Sequence, residues 1–252
     1  MIRTALKFLF LIIPLLIFDS VQGQTGGIVT YKKIVEYGLE PIGRPRWDNF
    51  IKDLPKTGTF AYTLSFNKEE SLFKEDVAQR EEAGPMLQRA LNGLNSLNPP
   101  KEIVLAVYHN LTDQQRLRQV EFMTRDFVVY EATDLPAWKL TTEKKRVLNY
   151  ICTGAQLETE DGIITAWFTV EIPIPFGPDN FHGLPGLILG IEKGNQMLVL
   201  ASEVVLNDPI SIKKPTKGEY MSQIDFAQTV ADKVKEWKAT GGRGSGRGRG
   251  GN

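Results

Sequence analysis

Two histidines and a single cysteine hold most of the chemical potential of this 252-residue chain. His182 follows Asp179 closely, and an imidazole beside a carboxylate can serve as a general base or a metal ligand. It can also be a loop imidazole hydrogen-bonded to nearby backbone, which is the preferred reading. His109 is far away in sequence, at the end of a strand-like run. Neither histidine belongs to an HxH or HExxH spacing, so only a fold that brings them together would make them a pair. Cys152 follows Tyr150 and Ile151 in an apolar setting and is expected to be a buried, inert thiol. A lone cysteine forms no disulfide within its chain and no cysteine-based metal cluster. Ser65, Ser71 and Ser202 sit in strand contexts without a histidine nearby in sequence. No GxSxG elbow, phosphate-binding loop or dinucleotide fingerprint occurs. No catalytic residue, cofactor or metal is therefore assigned.

A second kind of signal lies in residues 171–189. Pro173, Pro175, Pro178 and Pro185 cannot donate backbone hydrogen bonds, so this segment cannot run through the centre of a sheet. Gly183, Pro185 and Gly186 set a turn, and Leu187-Ile188-Leu189 then read as a buried strand. The segment is expected to cross an edge or mouth of a sheet, with Phe176 and Phe181 dropping into the core. The functional alternative is a rigid rim around a pocket, built from Trp138, Trp167, Phe176, Phe181, His182, Gly183, Leu184, Pro185 and Gly186.

The elements that must position these residues are mostly strands. Residues 27–37 read as an opening strand, and Phe60, Tyr62, Leu64 and Phe66 share one face of the next. Gly84-Pro85 starts a helix that Asn98-Pro99-Pro100 ends. Strand-like runs follow at 102–108, 117–123 and 126–132. Asp161-Gly162 predicts a type I′ hairpin joining 152–159 to 163–170, and Lys193-Gly194-Asn195 a second joining 187–192 to 196–206. Ser222 caps a helix in which Ile224, Ala227, Val230, Ala231, Val234 and Trp237 form one apolar stripe. The expected fold is α+β, mainly antiparallel β: a curved meander sheet or half-barrel of about eight to ten strands with one or two packed helices. Trp138, Trp167, Phe168, Tyr62, Phe60 and Phe127 are expected in its core. A curled sheet would also leave a concave apolar face able to hold a lipid or peptide.

Several of these residues also carry a family resemblance. Trp138-Lys139-Leu140, Lys144 to Cys152, Ala166 to Pro173, Gly177-Pro178, Phe181 and Gly183-Leu184-Pro185-Gly186-Leu187-Ile188 resemble the GLPGLI family, known chiefly in Bacteroidota. The match is specific over 138–192 and softer upstream. The resemblance implies an exported protein, in a family of unestablished biochemical role.

Composition bounds the rest. With 42% hydrophobic and 24% charged residues, the chain can bury a core without disulfides or metal. Residues 1–23 read as a signal peptide: Arg3 and Lys7, an apolar run from Phe8 to Phe18, then Val21 and Gly23 before Gln24. Residues 24–240 are expected to form one β-rich domain, and 241–252 a disordered glycine-arginine tail. The leader carries net +1 and the tail +3, leaving −4 on the 24–240 body of a formally neutral chain. An acidic body argues against a nucleic-acid partner. The expectation is an exported protein of the periplasm or outer cell envelope, with no membrane span in the mature chain. It would bind a hydrophobic ligand or peptide without catalysis. The alternatives are an envelope hydrolase or metal enzyme using His182 and Asp179, and an assembly partner of an outer-membrane machine.

Overall fold

The computed structural model describes residues 26–79, 83–132, 134–194, 197–207 and 210–240. The expected signal peptide and the glycine-arginine tail lie outside the described residues. Twelve strands make one sheet. They are β1 (Gly26–Glu36), β2 (Thr57–Phe66), β3 (Glu70–Glu75), β4 (Ile103–Asn110), β5 (Gln115–Phe122), β6 (Arg125–Ala132), β7 (Lys139–Val147), β8 (Tyr150–Thr159), β9 (Gly162–Thr169), β10 (Leu187–Lys193), β11 (Met197–Asn207) and β12 (Glu219–Ser222). Three helices accompany them: α1 (Pro45–Ile51), α2 (Pro85–Leu97) and α3 (Gln223–Ala239).

The strand order is β12-β6-β5-β4-β3-β2-β1-β11-β10-β9-β8-β7, so the sheet is not closed into a barrel. Two meanders, β1–β6 and β7–β11, each pairing its strands in chain order, are joined where β1 pairs with β11. All ladders are antiparallel except that of β12, which runs parallel to β6. The architecture is therefore α+β and mainly antiparallel β, with more strands and one more helix than the sequence reading expected. The extra strands are β3, which follows β2 after a short turn, and β12, which is four residues long and has no hairpin turn to announce it.

Local signals explain most elements. Ser222 caps α3 by accepting the Asp225 amide, and its hydroxyl donates to the Asp225 carboxylate at 2.6 Å. The apolar stripe expected on α3 is out of phase at its start. Phe226 is the buried anchor, packed against Val120, Phe122, Phe127 and Val129, whereas Ile224 is 82% exposed. The β8–β9 hairpin forms as expected, but its two-residue turn is Glu160-Asp161; Thr159 pairs with Gly162, where the positive φ of +115° falls. α1 and α2 fill the long β1–β2 and β3–β4 connections and share a small core of Leu39, Ile51, Leu87 and Ala90.

The main core lies on one face of the sheet. Strand register puts Tyr31 opposite Tyr62, Leu64 opposite Phe73, Phe66 opposite Ser71, Phe73 opposite Val107 and Ser71 opposite His109. This face of β1–β4 is not open. The β9–β10 connection, residues 170–186, lies across it and carries its own buried Ile172, Ile174, Phe176, Phe181 and Leu184 into the same cluster.

Candidate functional site

The site is built by a loop that travels far from its own strands. β10 and β4 are five strand spacings apart in the sheet, roughly 24 Å at the usual inter-strand distance. Yet Phe176 and His182 both reach the His109 ring of β4, at centroid separations of 6.4 and 4.8 Å. The segment must therefore cross the face of β1, β2 and β3. Its prolines suit it to that path, because a loop lying on a sheet face has no ladder to donate to. It ties its own backbone instead: Gly183 N–H donates to Pro175 O, Leu187 to Ile172 O and Ile188 to Phe176 O, each at 2.9 Å. Gly183 takes a left-handed φ of +86°, which glycine adopts without a steric penalty.

Anchors from the surrounding elements hold the strip. The Tyr31 hydroxyl of β1 donates to Ile188 O at 2.7 Å, deep in the core. The Trp138 indole, just before β7, donates to His182 O at 2.8 Å, and its ring packs on Phe181. Lys33 of β1 meets the Asp179 carboxylate at 3.5 Å.

The two histidines, distant in sequence, are thus neighbours. His182 is 2% and His109 4% exposed. Burial drives the His109 pKa down to about 3, helped by His182 and Arg116, and drives His182 down to about 4, helped by Arg116. Both rings are neutral at pH 7. The Nε2 atom of His109 has no hydrogen-bond partner, and neither has the hydroxyl of Ser71 directly across the ladder. Arg116 stands opposite His109 on β5, its guanidinium held by Glu131 of β6 at 2.9 Å. Ser71, His109, Arg116 and Glu131 therefore form one polar row across β3–β6.

This geometry bears on three sequence readings. Residues 176–186 fill the hollow and do not fence it: Phe176 and Phe181 drop into the core as the preferred reading expected, His182, Leu184 and Gly186 are buried with them, and Asn180, Gly183 and Pro185 are exposed. Asp179 pairs with Lys33, while His182 packs on His109, so no His182–Asp179 unit is recorded. And His182, read as a loop imidazole, is buried with its ring against that of His109. Trp138 does belong with the loop. Trp167 is buried elsewhere, against Gly154, Gly190 and the Lys145 ammonium, 5.4 Å from its ring. Cys152 is fully buried and its thiol is pushed up to about 11, chiefly by desolvation.

Sequence reasoning missed Tyr31 and Arg116, and set Ser71 aside because no histidine lies near it in sequence. All three lie on ordinary alternating strands, and only the register across separate hairpins reveals their company.

A cleft of about 40 Å³ lies between Lys33, Tyr62, Phe73, Val107 and Asp179, room for a few waters at most. Among the described residues, no group of three or more histidine, cysteine or acidic side chains is gathered to hold a metal. No helix among them is long and apolar enough to cross a membrane.

Comparison with known proteins adds a family likeness and a fold. A family described as "Protein of unknown function (Porph_ging)" matches residues 156–190, which include the Gly183–Ile188 hexapeptide. No curated protein matches. Two solved structures of PNGF-II, in space groups C2 and P21, are similar at TM-scores of 0.55 and 0.53, each with 13% identity over 83% of this chain. The chain spans only 33% and 34% of the length of those structures, and at this identity the likeness is one of fold alone.

Proposed function

We propose that this is an exported, GLPGLI-type envelope protein that binds an extended apolar peptide without catalysis, on the inner face of β1–β4. One observation carries the reading. The face already holds a proline-rich strip, residues 170–186, doubled back on itself, whose Phe176, Phe181 and Leu184 pack into it. A surface that accepts such a strip from its own chain has the right shape and apolarity for a similar strip from another. The self-bound form then occupies the site until the strip is displaced. A lipid or other bulky apolar ligand fits less well, because the adjoining cleft of about 40 Å³ is far below the several hundred Å³ of a typical ligand pocket.

Strand addition at an edge, the assembly-partner alternative, has weaker support. The open edge strand β7 carries Lys139, Lys144, Lys145 and Arg146 and bulges between Leu140 and Lys144. Charged, bulged edges resist strand addition. At the other edge, the short β12 lies beside α3.

Native mass spectrometry of protein isolated from its own envelope tests the reading, together with binding of a fluorescent synthetic peptide of residues 171–186. The expected results are co-purifying peptide and saturable binding of the probe, weakened when Phe66 or Val107 is replaced by Asp. Absence of both adduct and probe binding would overturn it, as would co-purifying lipid alone.

A further inference from the structure

The buried histidine pair has no role in simple peptide binding, and its placement is unusual. One ring belongs to the strip, the other to the wall on which the strip lies, and the two are 4.8 Å apart with almost no access to water. Such a pair is stable only while both rings are neutral, since two imidazolium ions at that distance repel and each would lose its hydration. We propose that His109 and His182 form an acid-sensitive latch, whose protonation releases residues 170–186 from the inner face of β1–β4.

The surrounding groups offer the cations no compensation. From β5, Arg116 faces the pair and adds a like charge. Glu131 of β6 is already engaged by Arg116 and Arg118. On the strip itself, Asp179 is engaged by Lys33 of β1. Ser71 of β3 and Trp138 before β7 are neutral. Tyr31 of β1 stays neutral through this range, its phenol raised by burial. The strip carries the rest of the design. Its prolines keep it out of the sheet ladders, so β9, β10 and the β1–β11 pairing can persist after it leaves.

The sign of the linkage follows from the lowered folded-state pKa of both rings. Their contribution to the docked state is complete above the ordinary histidine pKa of roughly 6.5 and is lost as pH falls toward the folded values of about 4 and 3. Two protons are taken up per opening, so the opening constant rises by up to about 100-fold per pH unit below 6.5 and by several hundredfold between pH 7 and pH 5.

Hydrogen exchange of the full chain between pH 7 and pH 5, corrected for intrinsic rates, tests this. The amides of Gly183, Leu187 and Ile188 report the strip, because their partners are Pro175, Ile172 and Phe176 on its outgoing arm. Their protection is expected to fall with a slope approaching two protons, while amides of β1 and β11 keep theirs. His109→Gln and His182→Gln should each reduce the slope by one proton. If either variant fails to fold, the wild-type slope decides alone. Protection that stays flat with pH, a slope unchanged in a folded single variant, or simultaneous loss from β1 and β11 overturns the latch. None of these outcomes depends on which ligand, if any, the face accepts.

Discussion

Gly186 sits with its α-carbon against the backbone of Thr169, and a β-carbon there would overlap the Thr169 carbonyl oxygen. Neither side can yield, because both belong to the backbone where β9 meets β10. Gly177 is similarly confined, 2.7 Å from the Ile188 β-carbon and 2.8 Å from Phe181 O for any added methyl. Replacing Gly186 by Ala should therefore cost at least about 2–3 kcal/mol, as overpacking against fixed atoms does. Gly84→Ala is the control: nothing lies within 4 Å of the new methyl, and the cost should stay below about 1 kcal/mol. Urea denaturation of the two variants measures the difference; equal midpoints would mean that the 186 turn relaxes freely. The sequence made this turn legible, because glycine and proline state their backbone demands locally. His109 was not legible in the same way. Its meaning depends on His182, 73 positions later, and no local spacing links them.

α3 shows where an element can be read and where it cannot. Its cap was visible in Ser222 and Asp225, and the amide and hydroxyl bonds form as that pair dictates. Its buried face was misread because Ile224, Ala227 and Ala231 mimic a helical stripe, while the sheet beneath takes Phe226 with support from Val230 and Met221. Ring geometry favours that phase: the Phe226 ring lies 6.2 Å from Phe122, edge-on, and 5.4 Å from Phe127, tilted, arrangements that aromatic pairs prefer. Phe226→Ala should accordingly cost about 3–4 kcal/mol. Ile224→Ala, at a site 82% exposed, should change stability by less than about 0.5 kcal/mol. Thermal unfolding followed by circular dichroism separates the two; a larger loss from Ile224→Ala would show that the helix is seated in the other phase. The hairpins β8–β9 and β10–β11 were legible for the same local reason as the cap. β12 was not, since four residues pairing parallel to β6 owe their strand to a neighbour 92 positions away, Glu219 beside Phe127.

At the scale of the molecule, two hairpin meanders become one sheet only when β1 finds β11, pairing Gly26 with Asn207 and Val35 with Met197. Sequence patterns specify the tight hairpins within each meander, because those turns are local. They do not specify that long closure, nor the strip that then crosses it, since both depend on contacts between distant segments. The order of events follows from chain entropy: the strip's face on β1–β4 and its root between β9 and β10 are not in register until β1 and β11 have paired. The Tyr31 hydroxyl bond to Ile188 O spans exactly this junction, 157 positions apart. Tyr31→Phe leaves the ring packing intact but removes that donor from a buried carbonyl, at a cost of about 1.4 kcal/mol. If the strip docks after the transition state, the whole cost falls on unfolding, which should speed about tenfold while the folding rate is unchanged. Stopped-flow fluorescence of wild type and variant across a denaturant series reads both limbs. A folding rate that drops instead would place the strip in the nucleus and make its docking a condition for joining the two meanders.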